Sequence, residues 1–348
     1  MLPINVNKCA DSDRTLIELP SFLNTASHSL RKLPYYLCKI TQVGCKPVVG
    51  LVNLINYQNL HSKIIPHEHV YQDKINDYVQ QFIEGNILNN PILLFYKDFS
   101  EFKHFINQLI NTLDRIIIHH INGSTYEIFT INNYKAIEKL RYYLEKIKKF
   151  YIADGHHRIY ALSKIKVESK RFFPQYYLSF VVHENDLNLG SYNRFMKGIN
   201  LDSEYFVRQL RQNYLMEQVP KEKLECKTNV YIYINNIWYR LVLKKKIMVS
   251  KFFQLPCVHI DEFIISLLTA LSPLTSKVLY SPSTDRIDDL LQFHEKNKCQ
   301  IAINIPPISL CELVSITEES CKLPPHSTHF TPKMPNDLFI QKLNFATD

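Results

Sequence analysis

Glycine is scarce in this chain. It occurs seven times in 348 residues, about 2% against a usual share of roughly 7%. The positions are Gly44, Gly50, Gly85, Gly123, Gly155, Gly190 and Gly198, and no two lie one residue apart. A dinucleotide fingerprint G-x-G-x-x-G is therefore excluded, and no pair has the five-residue offset of a Walker A loop. The eight cysteines never form C-x-x-C, which argues against a zinc ribbon or a thioredoxin-type motif. Cys311, at the end of Ile-Pro-Pro-Ile-Ser-Leu-Cys, is expected to be a buried free thiol. The N-terminus has neither a basic nor an apolar leader region, and no apolar run reaches membrane-spanning length. A cytoplasmic protein with no membrane partner is expected.

Charge gives little direction. Forty-one Lys and Arg against thirty-three Asp and Glu leave +8, a modest and dispersed excess. Its densest run, Lys244-Lys245-Lys246, ends an expected strand, and no basic stripe with interleaved aromatics occurs. Nucleic acid is not the expected partner.

What is present is an alternation of strand-like and helix-like segments. Tyr35–Ile40 and Val48–Ile55 predict a hairpin, and Asp73–Glu84 and Phe99–Leu113 predict helices. Asn122-Gly123 and Asn235-Asn236 mark further hairpin turns. Helices are also expected over Asn132–Lys149, Ser203–Gln212 and Asp261–Ala270, whereas the first thirty or so residues lack a clear period. His119 and His120 fall on an expected strand and should point to opposite faces. The fold class is mixed α/β, of the α+β kind. The expected division is an N-terminal segment 1–34, a region 35–183 and a C-terminal α/β region 184–348.

Three segments carry chemistry. In the first, the apolar strand Phe150–Ala153 runs into Asp154-Gly155-His156-His157-Arg158 and an amphipathic helix. A helix start presents free backbone N–H groups and the positive end of a dipole, which suits phosphate. Arg158 offers a fork for phosphate oxygens, and His156 and His157 can donate hydrogen bonds or move protons. Asp154 can hold Mg²⁺ or simply cap the helix. The second segment, His67-Glu68-His69, flanks one carboxylate with two histidines; it is either a general base tuned toward neutrality or a polar turn. The absence of H-E-x-x-H excludes the usual metalloprotease site. The third, Leu323–Lys333, encloses Ser327, Thr328 and Lys333 among prolines, as a stiff binding loop or a plain connector.

Together, and in this order, the three segments resemble a bacterial and archaeal domain-of-unknown-function family. Its signatures are I-x-x-H-E, a strand ending D-G-H-H-R, and M-P-P-K-S-T-x-F-x-P-K; here they read Ile64–Glu68, Asp154–Arg158 and Leu323–Lys333. The likeness spans roughly residues 20 to 345. His326 stands where the family usually has lysine, Asn336-Asp337 replaces a small residue plus glycine, and the N-terminal P-Y-D-V segment is absent. The family is similar to ParB/sulfiredoxin-like proteins, among them free-serine kinases. The resemblance implies a ParB/sulfiredoxin-like nucleotide-binding core over 35–183 with an additional C-terminal α/β lobe. It implies phosphoryl transfer from ATP or ADP, with Mg²⁺, to the hydroxyl of a small free amino acid. In that scheme Gly155, His156, His157 and Arg158 bind the nucleotide. Glu68, Asp154 and His156 are catalytic, Asp154 also holds the metal, and His67, Ser327, Thr328 and Lys333 contact substrate. The alternative is a ParB-like nucleotide-binding regulator without kinase activity.

Overall fold

Apolar runs bounded by turn residues become sheet strands here, and the segments of helical period pack against them. The computed structural model describes residues 5–8, 15–19, 35–56, 62–85, 87–168, 176–199, 202–245, 250–271 and 277–342. The chain divides into two compact units. One comprises Met1–Pro66, Val70–Asn188 and Phe330–Asp348, the other His67–His69 and Leu189–His329.

The first unit is built on an eight-stranded sheet. Its order is Ile64–Ile65, Phe150–Asp154, Ile92–Tyr96, Tyr176–His183, Val48–Asn56, Tyr36–Gln42, Ser124–Thr130 and Arg115–Ile121. Ile92–Tyr96 is interior and buried at every position, which explains its unbroken apolar run. Arg115–Ile121 is an edge strand; His119 is buried and His120 exposed, on opposite faces as expected. Positive φ at Asn122 and Gly123 closes the turn to its partner strand. Helices Gln72–Gly85, Ser100–Ile110, Tyr134–Lys146 and His156–Glu168 complete the unit. The third starts where the Asn133 side chain accepts from the N–H groups of Lys135 and Ala136. A second sheet joins Asn5–Lys8, Thr15–Leu19, Phe339–Lys342 and Ile87–Leu88. The aperiodic N-terminal segment thus contributes two strands, and its other residues lie outside those described.

The second unit has a six-stranded sheet whose described pairings are all antiparallel. Its order is Tyr214–Gln218, Ile237–Leu243, Val230–Ile234, Ile301–Asn304, Tyr192–Lys197 and Lys277–Pro282. Phe195, Tyr231, Trp238 and Leu290 form part of its core. Here the helix expected over Asp261–Ala270 begins earlier, at Pro256–Ile260, continues as a π-helical turn Asp261–Ile265, and ends as Ser266–Leu271. Proline at a first helical position needs no N–H partner, so Pro256 opens the helix. Cys311 corrects another expectation. It lies in the first turn after the Ser309 capping box and is exposed, because the apolar run before it is loop rather than core strand.

Among the described residues no helix is long and apolar enough to cross a membrane. The mixed α/β class expected from the sequence is the class observed.

Candidate functional site

The first unit places Asp154 at the end of the strand Phe150–Asp154, whose preceding four residues are all buried. A register shift against Ile92–Tyr96 falls between Ile152 and Asp154. Such a shift re-aims a side chain at a strand end. Gly155 then turns the chain at φ 109° into the helix His156–Glu168. A Cβ at Gly155 would lie 3.1 to 3.4 Å from the Arg158 guanidinium, so the positive φ favours glycine and a side chain there would crowd Arg158.

Arg158 is buried, and both of its terminal nitrogens are engaged. It donates to the carbonyls of Asn90 at 2.5 Å and Pro91 at 3.1 Å, and to Asp154 Oδ2 at 2.5 Å. The sequence suggested a fork open to phosphate; the structure shows one that ties the glycine turn to the loop before Ile92–Tyr96. The Lys333 Nζ donates to Asp154 Oδ1 at 2.6 Å, and its side chain keeps 34% exposure. Burial alone would raise the Asp154 pKa. Arg158 and then Lys333 outweigh it and hold the carboxyl below its usual range. His156 is buried and adds to that pull. The His157 Nε2 accepts the Tyr71 N–H at 3.1 Å, and the two rings stack. Burial and then the Lys74 charge push His157 down to about 4, so it is neutral near pH 7.

Mg²⁺ does not fit this carboxylate as it stands. Both Asp154 oxygens are occupied by cationic donors. Among the described residues no group of three or more His, Cys, Asp and Glu side chains is arranged to hold a metal.

The second unit gathers a different set. Leu323 N–H donates to the His67 carbonyl at 2.8 Å, and His69 N–H to the Leu323 carbonyl at 2.9 Å. This bridge lays His67–His69 along the proline loop. His67 and Glu68 are buried and His69 is exposed, so the two histidines do not flank the carboxylate as a pair. Glu68 Oε1 accepts Ser327 N–H at 3.1 Å, Thr328 N–H at 2.8 Å and Thr328 Oγ1–H at 2.5 Å. His326, at φ 57°, turns the loop so that successive amides point the same way, as in an anion-holding nest. His67 Nε2 lies 2.9 Å from Thr328 Oγ1. Ser327 Oγ donates to the Pro324 carbonyl at 2.7 Å. The hydroxyls expected to contact substrate are thus turned inward. Burial pushes Glu68 up to about 7, against the pull of the Thr328 hydrogen bonds and the Arg194 charge.

Arg194 and Asp261 are the residues that motif reading missed. Arg194 is fully buried, pairs with Asp261 through Nε at 3.0 Å and Nη2 at 3.3 Å, and donates to the His326 carbonyl at 2.7 Å. A lone arginine inside a strand pattern was the available signal. Of the residues singled out in sequence, the structure thus brings Asp154, Gly155, Arg158 and Lys333 together in one unit, and His67, Glu68, Ser327 and Thr328 in the other.

Solved structures similar to this chain have low identity. A free serine kinase in complex with AMP is 13% identical with a TM-score of 0.45, covering 84% of this chain and 90% of that one. A conserved hypothetical protein from Pyrococcus furiosus is 15% identical at 0.43, covering 81% and 92%. SbnI with C-terminal truncation from Staphylococcus aureus is 12% identical at 0.45, covering 82% and 85%. No curated protein matches the sequence significantly. The model of one family does match, over residues 31–268, about two-thirds of the chain, and the protein belongs to that family, described as protein of unknown function DUF1015.

Proposed function

We propose that the protein is a nucleotide-dependent phosphotransferase acting on the hydroxyl of a small free amino acid, L-serine or a close analogue. The observation that carries this reading is Lys333, delivered to Asp154 Oδ1 at 2.6 Å, beside the first turn of His156–Glu168. A helix start attracts anions through its amides and dipole. Lys333 adds a part-exposed ammonium that an incoming phosphate can take over from Asp154. Arg158 and Gly155 fix the turn, and the phosphates of ATP or ADP are assigned to it. Phosphoryl transfer needs positioning and charge neutralisation more than covalent help from the protein. The proton of the acceptor hydroxyl is assigned to Glu68, whose pKa near 7 suits a base working at neutral pH. Ser327, Thr328 and His67 support Glu68 in this scheme.

One observation favours a second reading, a nucleotide-binding regulatory protein without transfer. Each Asp154 oxygen already accepts from a cationic side chain, which a metal would have to share or displace. The two readings separate in one assay. Purified protein is incubated with Mg²⁺, each of ATP, ADP and CTP, and a panel of hydroxy amino acids, and phosphorylated acceptor is measured. Phosphotransfer predicts product from at least one pairing. Nucleotide binding with no product anywhere in the panel supports the regulator.

A further inference from the structure

Two of the four contacts around Glu68 and Thr328 have one possible proton placement, and they settle the other two. The N–H groups of Ser327 and Thr328 are backbone donors that cannot reverse, and both point at Glu68 Oε1, at 3.1 and 2.8 Å. An oxygen receiving two amide hydrogens has no room to carry a hydrogen directed at a third partner. At the 2.5 Å contact the proton therefore belongs to Thr328 Oγ1 and is donated to Oε1. A hydroxyl has one proton to give. Thr328 Oγ1 must then be the acceptor at its 2.9 Å contact with His67 Nε2, and that ring nitrogen must carry hydrogen.

We propose that His67, Thr328 and Glu68 form a directed chain of donors, Nε2–H to Oγ1 and Oγ1–H to Oε1, which saturates Oε1 and reserves Oε2 for taking up a proton. Thr328 and His67 are positioning residues: they act through Glu68, deciding which oxygen is the base and how readily it ionises. The inference deepens the phosphotransferase reading and rests on it for the consequence at the acceptor. As the acceptor O–H bond breaks, its proton goes to Oε2 and its electron pair stays on the acceptor oxygen. That oxygen forms the new P–O bond while the bond to the nucleotide's leaving oxygen breaks. Among the described residues the charged and titratable groups facing Glu68 include His67 on its own segment, Arg194, which favours the carboxylate, His326, whose backbone also favours it, and Cys257. Burial pushes the Cys257 thiol up to about 11, so it stays neutral and does not compete for the proton. Asp261 pairs with Arg194.

The test follows the titration of Glu68 by ¹³C NMR of its side-chain carboxyl in the full-length protein, with product formation measured in parallel across pH. Thr328→Val should raise the Glu68 midpoint by about one pH unit, a tenfold change in proton affinity. Thr328→Ser should restore it, and His67→Leu should move it in the same direction by less. The ¹⁵N spectrum of His67 should show Nε2 protonated. The acid limb of the pH–rate profile should move with the carboxyl midpoint in each variant. An unmoved midpoint in Thr328→Val, or a hydrogen-free Nε2 on His67, overturns the chain. Should Thr328→Val not fold, the His67→Leu shift and the His67 spectrum decide alone. Shifted midpoints with no product in any variant would defeat phosphotransfer and leave the donor chain standing.

Discussion

Glu68 combines burial with three donors on one oxygen, and the balance shows in its stability linkage. Its pKa rises from an ordinary 4.5 to about 7 on folding because burial outweighs the hydrogen bonds. The folded protein therefore binds a proton that the unfolded chain releases across this window. Its contribution is fully present below about pH 4.5 and is lost as pH rises through about 7, at most about 3 kcal/mol in all. Glu68→Gln keeps an acceptor at Oε1 and cannot ionise. Urea unfolding should show wild type losing stability relative to this variant between pH 5 and 8; parallel pH dependence in the two proteins would refute the buried-carboxyl account. The sequence pointed to Glu68 through its neighbouring histidines. It could not reveal the amides that hold the carboxyl, which lie some 260 positions away, nor that His69 faces solvent.

At the scale of elements, the π-helical turn Asp261–Ile265 places an acid against the fully buried Arg194. Breaking such a buried pair by removing one partner costs about 3–5 kcal/mol, since the remaining charge stays desolvated. Asp261→Asn should therefore lower thermal stability markedly. It should also loosen the His326 turn that Arg194 braces, visible as faster amide exchange at Ser327 and Thr328. A melting point within a degree of wild type would contradict this. The elements themselves were largely legible. Apolar runs and Asn-Gly or Asn-Asn turns gave the hairpins, and helical spacing gave most helices. The misses have local causes. The helix expected from Asp261 starts earlier because Pro256 is well placed at a first helical position. Cys311 reads as core because a largely apolar run precedes it, although a capped helix turns it outward.

For the whole molecule, the units are assembled from pieces distant in sequence. Lys333 returns to the first unit after the chain has built the second, and His67–His69 belong to the second although they lie early in the chain. No local pattern encodes such returns, which is why three motif segments were visible while their partition into two clusters was not. The same architecture sharpens the meaning of the missing glycines. One glycine, at φ 109° and with any Cβ crowded against Arg158, makes the turn after Asp154. The proposed function assigns a nucleotide's phosphates to this turn. Its most direct test is the affinity for ADP and ATP, by calorimetry, of wild type and Gly155→Val, with circular dichroism confirming the fold. Gly155→Val should lose at least about tenfold in affinity, as displacement of Arg158 and a strained φ cost on the order of 1–3 kcal/mol. Equal affinity in the two proteins would place the phosphates elsewhere and contradict it.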